Sequence, residues 1–179
     1  MSDKRVEDLI ELLCLAGDEA PDEHWYCLLD GARDPAIVKW LERSGLEREC
    51  LYTGVLTPRL NAAAPWLVRL PLGDPASLEL LGLGWGKAWG ILMAVPASLS
   101  MAGLRRHCKK FLRVRTEDKR VLNFRFYDPR VLSVFLPTCD AAQHKALLGP
   151  MRRVLVEVEE GARWVVFDPL DVAPHRQAD

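Results

Sequence analysis

The dipeptide Asp-Pro recurs along this 179-residue chain and constrains where its helices can begin. The copies are Asp34-Pro35, Asp74-Pro75, Asp128-Pro129 and Asp168-Pro169. An aspartate side chain can accept hydrogen bonds from the free N–H groups of a helix start, and proline fits the first helical position. Because an apolar run follows each of the first three copies, we predict helices that begin at Pro35, Pro75 and Pro129. A polar tail follows the fourth copy, so we predict a turn there.

Apolar runs between these helix starts have the composition of buried strands. The run from His24 to Leu29 is aromatic and aliphatic, which is typical of a buried strand. Further strands are predicted at residues 50–55, 66–70, 88–95, 112–115, 121–126, 154–158 and 164–167. The strands at 112–115 and 121–126 alternate in polarity around a polar turn and predict one hairpin. The alternating strand at 154–158 and the apolar run at 164–167, joined by a turn at Glu160-Gly161, predict a second.

Three more helices are predicted from periodicity and capping. One begins near the N-terminus and ends at Gly17, and a longer one runs from Ser98 to Leu112. A short helix follows Asp140, where Gln143 completes a capping box. Since helices and strands interleave, the predicted fold class is mixed α/β, with a mixed β-sheet flanked by helices, built as one unit or as two closely packed lobes.

The chain is predicted to have three segments. Residues 1–23 form an N-terminal helix and an acidic loop, and residues 24–150 form the main domain. Residues 151–179 form a C-terminal hairpin followed by a polar tail.

Charge and hydropathy argue against several classes of protein. The formal net charge is −1, which disfavours a nucleic-acid binder. The longest apolar runs, such as Ala88–Val95, are too short to span a bilayer, so no membrane partner is expected. The five cysteines are scattered and follow no secretory signal, which favours reduced, mostly buried thiols in a cytoplasmic protein.

Neither a nucleotide site nor a metal site is predicted, and no cofactor is expected. The glycine cluster Gly82–Lys87 lacks the phosphate-loop pattern, because Leu81 stands where that loop needs a glycine and Ala88 where it needs a hydroxyl. A flexible turn before a strand is predicted there instead. The histidines and cysteines do not supply the two close-spaced ligand pairs of a structural zinc site.

A carboxylate pair is the one candidate for catalysis. Asp30, Asp34 and Asp128 could supply acid–base chemistry, but no nucleophile stands in a recognisable catalytic context. Asp34 and Asp128 are predicted helix caps, and Asp30 ends a strand where an aspartate commonly binds turn amides. The predicted partners of these carboxylates are Arg33, Arg125 and Arg130. We therefore predict no enzymatic activity. The alternative is a carboxylate-based, hydrolase-like enzyme that exposes Asp30 and Asp128 in one cleft.

A basic stripe and a loop tryptophan are the candidate partner-binding features. The cations of the stripe are Arg105, Arg106, Lys109, Lys110 and Arg113. They form either a solvated face near a helix C-terminus, where cations suit the dipole, or a docking surface for an acidic partner segment. Trp85 lies among glycines, and it is either a core residue or an exposed anchor for a protein partner.

Four short segments, in their order and spacing, resemble a known family. They are Leu28–Arg33, Ala64–Val68, Gly90–Leu92 and Arg125–Arg130, and a short helix that ends at Gly149-Pro150 follows them. Together they are similar to the type VI secretion effector adaptors, also called effector chaperones of the Tap/TEC type. The resemblance covers roughly Trp25 to Pro150.

The resemblance implies a bacterial cytoplasmic adaptor without catalytic activity. Proteins of this family bind a cognate toxic effector and help to place it on the trimeric valine-glycine-repeat spike protein. The family-motif residues are predicted to be architectural, with Arg125 paired to a carboxylate such as Asp30. These residues are Asp30, Gly31, Arg125, Tyr127, Asp128, Pro129 and Arg130. A protein-interaction module outside secretion stays open as a second alternative.

Overall fold

Helices and strands alternate through residues 4–115, and paired strands and helices follow. The computed structural model describes residues 4–19, 22–116, 118–169 and 171–176. The helices are α1 (Lys4–Glu19), α2 (Pro35–Ser44), α3 (Pro58–Ala62), α4 (Pro75–Gly84), α5 (Met101–Lys109), α6 (Pro129–Phe135) and α7 (Ala141–Leu148), with a 3₁₀ turn at Leu136–Thr138. The strands are β1 (Glu23–Asp30), β2 (Arg48–Cys50), β3 (Pro65–Arg69), β4 (Gly90–Pro96), β5 (Arg113–Arg115), β6 (Val121–Asn123), β7 (Arg153–Val158), β8 (Arg163–Asp168) and β9 (Asp171–Arg176).

Seven strands form one sheet, in the order β2-β3-β1-β4-β7-β8-β9. Neighbouring strands are antiparallel throughout it. In the middle of the sheet, Leu28 of β1 lies opposite Leu67 of β3 and Ile91 of β4. Strands β5 and β6 pair separately as an antiparallel hairpin. The predicted α/β class is confirmed, and the sheet that was predicted to be mixed is antiparallel.

Helices cover both faces of the large sheet. Helices α1, α2 and α4 pack on one face, here called the α1 face, where Cys27 and Leu29 of β1 lie. Helices α5, α6 and α7 pack on the other, the α5 face, which receives Tyr26 and Leu28 of the same strand. Successive strand residues point to opposite faces, so a strand covered on both sides must be apolar at every position. This explains why β1 and β4 are continuous apolar runs in the sequence.

The aromatic residues are divided between the two faces. All six tryptophans pack in or against the core of the α1 face: Trp25, Trp40, Trp66, Trp85, Trp89 and Trp164. The aromatic rings in the core of the α5 face come from tyrosine and phenylalanine, among them Tyr26, Phe126 and Phe167.

The three predicted Asp-Pro helix starts are confirmed. Asp34 caps α2, Asp74 caps α4 and Asp128 caps α6. Each carboxylate accepts hydrogen bonds from backbone N–H groups in the first turn, at 2.8 Å for Asp34 and 3.0 Å for Asp128. The predicted capping box of Asp140 and Gln143 begins α7.

Several predicted boundaries are wrong. Strand β6 ends at Asn123 rather than Phe126, and helix α5 ends at Lys109 rather than Leu112. Strand β2 ends at Cys50 rather than Val55, because its ladder with β3 pairs residues 48–50 alone. Helix α4 continues through Gly84, so the first glycines of the predicted turn are helical. Residues 171–176, predicted as a polar tail, form β9 and pair with β8. The rest of that predicted tail, 177–179, lies outside the described residues.

Candidate functional site

The four family-motif segments meet in space. Three of them lie on or directly beside the neighbouring strands β3, β1 and β4, and these are Ala64–Val68, Leu28–Arg33 and Gly90–Leu92 in that order. Arg125–Arg130 connects the β5–β6 hairpin to α6 and contacts the end of β1. We call the residues Asp30, Gly31, Arg125, Tyr127, Asp128, Pro129 and Arg130 the motif cluster.

Asp30 is the buried centre of the motif cluster. Its side chain is 1% exposed, so each carboxylate oxygen needs a hydrogen-bond donor. Oδ1 accepts from the N–H of Ala32 at 3.1 Å, and Oδ2 accepts from the guanidinium of Arg125. The predicted pair of Asp30 and Arg125 is therefore present. This ion pair joins the buried C-terminal end of β1 to the Arg125 side chain, which is 43% exposed.

Asp128 is both a helix cap and a partner of Arg130. Its Oδ1 accepts from the Arg130 backbone N–H, and its two oxygens accept from Nε and from an Nη of that side chain at 2.9 Å and 2.6 Å. Burial alone would raise the pKa of Asp128, but these bonds outweigh it and hold the pKa below the usual value. Both carboxylates of the alternative enzyme are thus bonded to a backbone amide and to an arginine.

Gly31 is required by a close approach of two backbones. A Cβ at this position would lie 2.6 Å from the carbonyl oxygens of Ala62 and Ala64, which is far inside contact distance. The N–H of Gly31 donates to the Ala64 carbonyl at 3.1 Å. The Asp-Gly and Ala-Pro motifs are therefore halves of one packing arrangement.

Glu157 was not predicted as a site residue, although it is 6% exposed at the end of β7. Its carboxylate accepts from the N–H groups of Gly86, at 2.5 Å, and Ala88. Burial raises the pKa of Glu157 despite these bonds. Arg33 holds the same turn, donating to the carbonyls of Lys87 and Ala88 at 3.2 Å and 3.3 Å rather than to a carboxylate as predicted.

A cleft of about 440 Å³ opens beside this turn. It is lined by cations and carboxylates together, including Arg33, Arg130 and Glu157. Arg33 and Glu157 hold the turn at residues 86–88, and Arg130 is bonded to Asp128, so all three side chains already have hydrogen-bond partners inside the chain.

A larger groove, of about 550 Å³, lies between the loop before α3, the end of α5 and the β5–β6 hairpin. Its apolar walls include Leu56, Leu60, Leu112 and Phe124, and the charged residues that line it are Lys109 and Arg113. We call it the basic groove. Its volume lies in the range of roughly 300–1,000 Å³ that is usual for small-molecule pockets.

Tyr127 connects the motif cluster to the basic groove. The residue is 4% exposed and lines the groove wall. Burial, with the nearby Asp30 carboxylate, raises the pKa of its hydroxyl well above the usual value. The hydroxyl therefore stays neutral, and the charged groups that act on it are Asp30 and Arg125 of the motif cluster.

The predicted basic stripe is divided by the structure. Arg105 is bound internally, since it donates to the carbonyls of Cys50 at 2.6 Å and Tyr52 at 3.2 Å and lies 3.3 Å from Glu49. Lys109 and Arg113 line the basic groove, whereas Arg106 and Lys110 are exposed near the end of α5. Their role in partner binding stays a prediction.

Trp85 is half-buried rather than exposed. Its indole N–H donates to the Gly161 carbonyl at 3.0 Å, and its ring packs edge-on against Trp164 with 6.2 Å between centroids. Gly86 and Gly161 pack so closely at this point that a Cβ on Gly161 would lie 2.7 Å from the Gly86 Cα. The contacts attach the end of α4 to the β7–β8 turn, so a partner could reach only the remaining exposed part of the ring.

Across the described ranges, no helix has the length and apolar character needed to cross a bilayer. Within the same ranges, no group of three or more histidine, cysteine, aspartate or glutamate residues is arranged to hold a metal ion.

The fold and the site define an α/β domain in which an internally paired motif cluster adjoins an open basic groove. The chain belongs to the family described as a domain of unknown function, DUF4123, which matches residues 25–146. This family is associated with the effectors of type VI secretion. The match begins in β1, ends in α7 and includes the motif cluster and the basic groove. No curated protein and no solved structure matches this chain.

Proposed function

We propose that this chain is a non-catalytic adaptor, or chaperone, for a cognate type VI secretion effector. In the bacterial cytoplasm it binds that toxic protein and helps to load it onto the trimeric valine-glycine-repeat spike protein. It recognises and shields an apolar segment of the effector, hands it over, and leaves before or during secretion.

The family match over residues 25–146 carries this proposal. The geometry adds support in two ways. Asp30 and Asp128 each have two kinds of internal donor, which is what architectural carboxylates need. The basic groove, formed by residues within the family match, offers uncovered apolar surface of the kind that marks interaction sites.

A pull-down with purified proteins tests the proposal. The chain is mixed separately with the toxin and with the spike protein encoded by neighbouring genes, and each mixture is run on a size-exclusion column. We expect the toxin to co-elute with the chain as a stable complex. The absence of a complex with either protein would refute the adaptor function and would reopen the carboxylate-enzyme and general interaction-module alternatives.

A further inference from the structure

The basic groove lies beside a short helix whose side chains are not buried. Helix α3 buries none of its residues, and its Leu60, which lines the groove, is 50% exposed. Val55, in the loop before α3, is fully exposed. Uncovered leucine and valine side chains beside an open groove are typical of a surface that a partner covers.

Positive charge is concentrated in the segment that supplies Lys109 and Arg113 to the other wall of the groove. Residues 105–120 contain eight lysine and arginine residues and two acidic ones, whereas the whole chain has a net charge of −1. Among the residues that the structure describes, neither Lys109 nor Arg113 forms an ion pair. Within the described part of the chain, the groove therefore has cations without ion-pair partners next to apolar walls.

The register of the β5–β6 hairpin extends this surface. Arg113 lies opposite Asn123, and both line the groove. Arg115 lies opposite Val121 two residues further along, so the two residues share that face of the hairpin. Val121 is 58% exposed, and the groove thus continues as a strip in which an apolar side chain adjoins an arginine.

We infer that the basic groove is the docking site for an effector segment in which apolar side chains alternate with carboxylates. This inference rests on the proposed function and names the surface and the partner chemistry. The apolar walls take the leucine-like side chains, and Lys109 and Arg113 pair with the carboxylates. A basic segment would be repelled by these cations, and a purely acidic one would leave Leu60 and Phe124 uncovered.

The test compares two charge reversals of equal size. Lys109→Glu with Arg113→Glu changes the groove, and Lys4→Glu with Lys39→Glu changes exposed lysines of α1 and α2 on the opposite face. Isothermal titration with the purified toxin measures the affinity of each variant. We expect the groove variant to bind about 10- to 100-fold more weakly, since two close charge pairs become repulsive, and the control variant to bind like the wild type.

A third variant tests the apolar wall. Leu60 is half exposed, so Leu60→Asp leaves the core intact, and we expect it to weaken toxin binding by about 10-fold or more. Thermal unfolding of every variant verifies that the fold is kept. Raising the salt concentration should weaken binding by the wild type, whose charge pairs are attractive, and strengthen binding by the groove variant, whose charge pairs are repulsive.

The outcomes separate this inference from the proposed function. Equal toxin binding by the wild type and the groove variant would refute the groove as the docking site while leaving the adaptor function in place.

If the wild type binds no toxin, the adaptor function fails, and two synthetic peptides then test the groove. One peptide alternates leucine and glutamate, and the other alternates leucine and lysine. Binding of the glutamate peptide alone, lost in the groove variant, would support the groove, and any other result would overturn it. Self-association of the wild type that the groove variant abolishes would make a second copy the occupant, which would also overturn the inference.

Discussion

The pair of Asp30 and Arg125 is predicted to stabilise the fold. Replacing Arg125 by alanine leaves a carboxylate that is 1% exposed with its Ala32 N–H bond alone. We expect the free energy of unfolding to fall by about 2 kcal/mol, the loss typical of a hydrogen bond to a charged group, and the melting temperature to fall by about 4–8 °C. Arg120→Ala is the control, because Arg120 pairs with an exposed aspartate and should shift stability by less than about 0.5 kcal/mol. An unchanged melting temperature together with lost toxin binding would make Arg125 a contact residue instead.

Asp128 is predicted to make stability depend on pH. Its folded pKa lies below the usual 3.8, so its ionised form stabilises the native state above that pH, and the contribution disappears as pH falls through the folded pKa. Compared with Asp128→Asn, the wild type should be more stable by about 1–3 kcal/mol near neutral pH, and the difference should vanish in strong acid. Urea denaturation of both proteins at several pH values measures this. A difference that persists unchanged at low pH would contradict the assigned pKa.

At the scale of residues, local contacts were predictable and distant ones were not. The caps Asp34, Asp74 and Asp128 bind amides two or three residues away, so the sequence alone contains both partners. Glu157 was missed because a glutamate between Val156 and Val158 is also typical of an exposed strand position. Its partners, the amides of residues 86 and 88, come from a part of the chain some seventy residues earlier.

At the scale of elements, two glycines offer a matched comparison. Gly31 has no room for a Cβ between the carbonyls of residues 62 and 64, whereas Gly82, in the interior of α4, has open space around it. We expect Gly31→Ala to destabilise the fold by about 1–3 kcal/mol or more. We expect Gly82→Ala to stabilise it by about 0.5–1 kcal/mol, because alanine loses less backbone entropy in a helix.

Chemical denaturation of both alanine variants and of the wild type measures these changes. Both variants add one methyl group. A lower free energy of unfolding for Gly31→Ala and a higher one for Gly82→Ala would therefore separate steric crowding from backbone entropy. A neutral Gly31→Ala would show that β1 and the Ala64 segment can move apart, which would contradict the packing described here.

Helix starts were predicted more accurately than strand ends. A helix start depends on a cap and a proline within one turn, and all three Asp-Pro starts follow that rule. The end of β2 depends instead on how far β3 extends beside it. The sequence of residues 50–55 contains no information about that length. Strand β9 was missed for the same reason, since its pairing with β8 gives order to a segment that is polar in sequence.

At the scale of the whole molecule, the apolar runs predicted buried strands but not their order. A run such as β1 shows that it is covered on both faces, yet the order β2-β3-β1-β4-β7-β8-β9 depends on contacts between distant parts of the chain. The basic groove is likewise assembled from α3, the end of α5 and the β5–β6 hairpin, so the basic stripe predicted its charge but not its apolar wall.

Two buried cysteines test whether the faces unfold together. Cys27 lies in the core of the α1 face and Cys108 in that of the α5 face, 5% and 0% exposed. Burial raises the pKa of both thiols, that of Cys108 to about 12, so neither reacts while native. Because both cores pack on the same sheet, we expect both thiols to be alkylated with the same dependence on urea concentration. Mass spectrometry of the alkylated protein measures the extent of reaction at each thiol. Reaction of one thiol well before the other would indicate two lobes that open independently.

The placement of all six tryptophans on the α1 face makes the protein's ultraviolet emission a one-sided reporter. A partner that occupies the basic groove lies across the sheet from most of these indoles, so its arrival should leave their emission wavelength nearly unchanged. A partner that covers α1, α2 or α4 should shift that wavelength by changing the water around them. Tryptophan emission measured during titration with a tryptophan-free effector fragment would therefore show, without any label, on which face of the sheet the fragment binds.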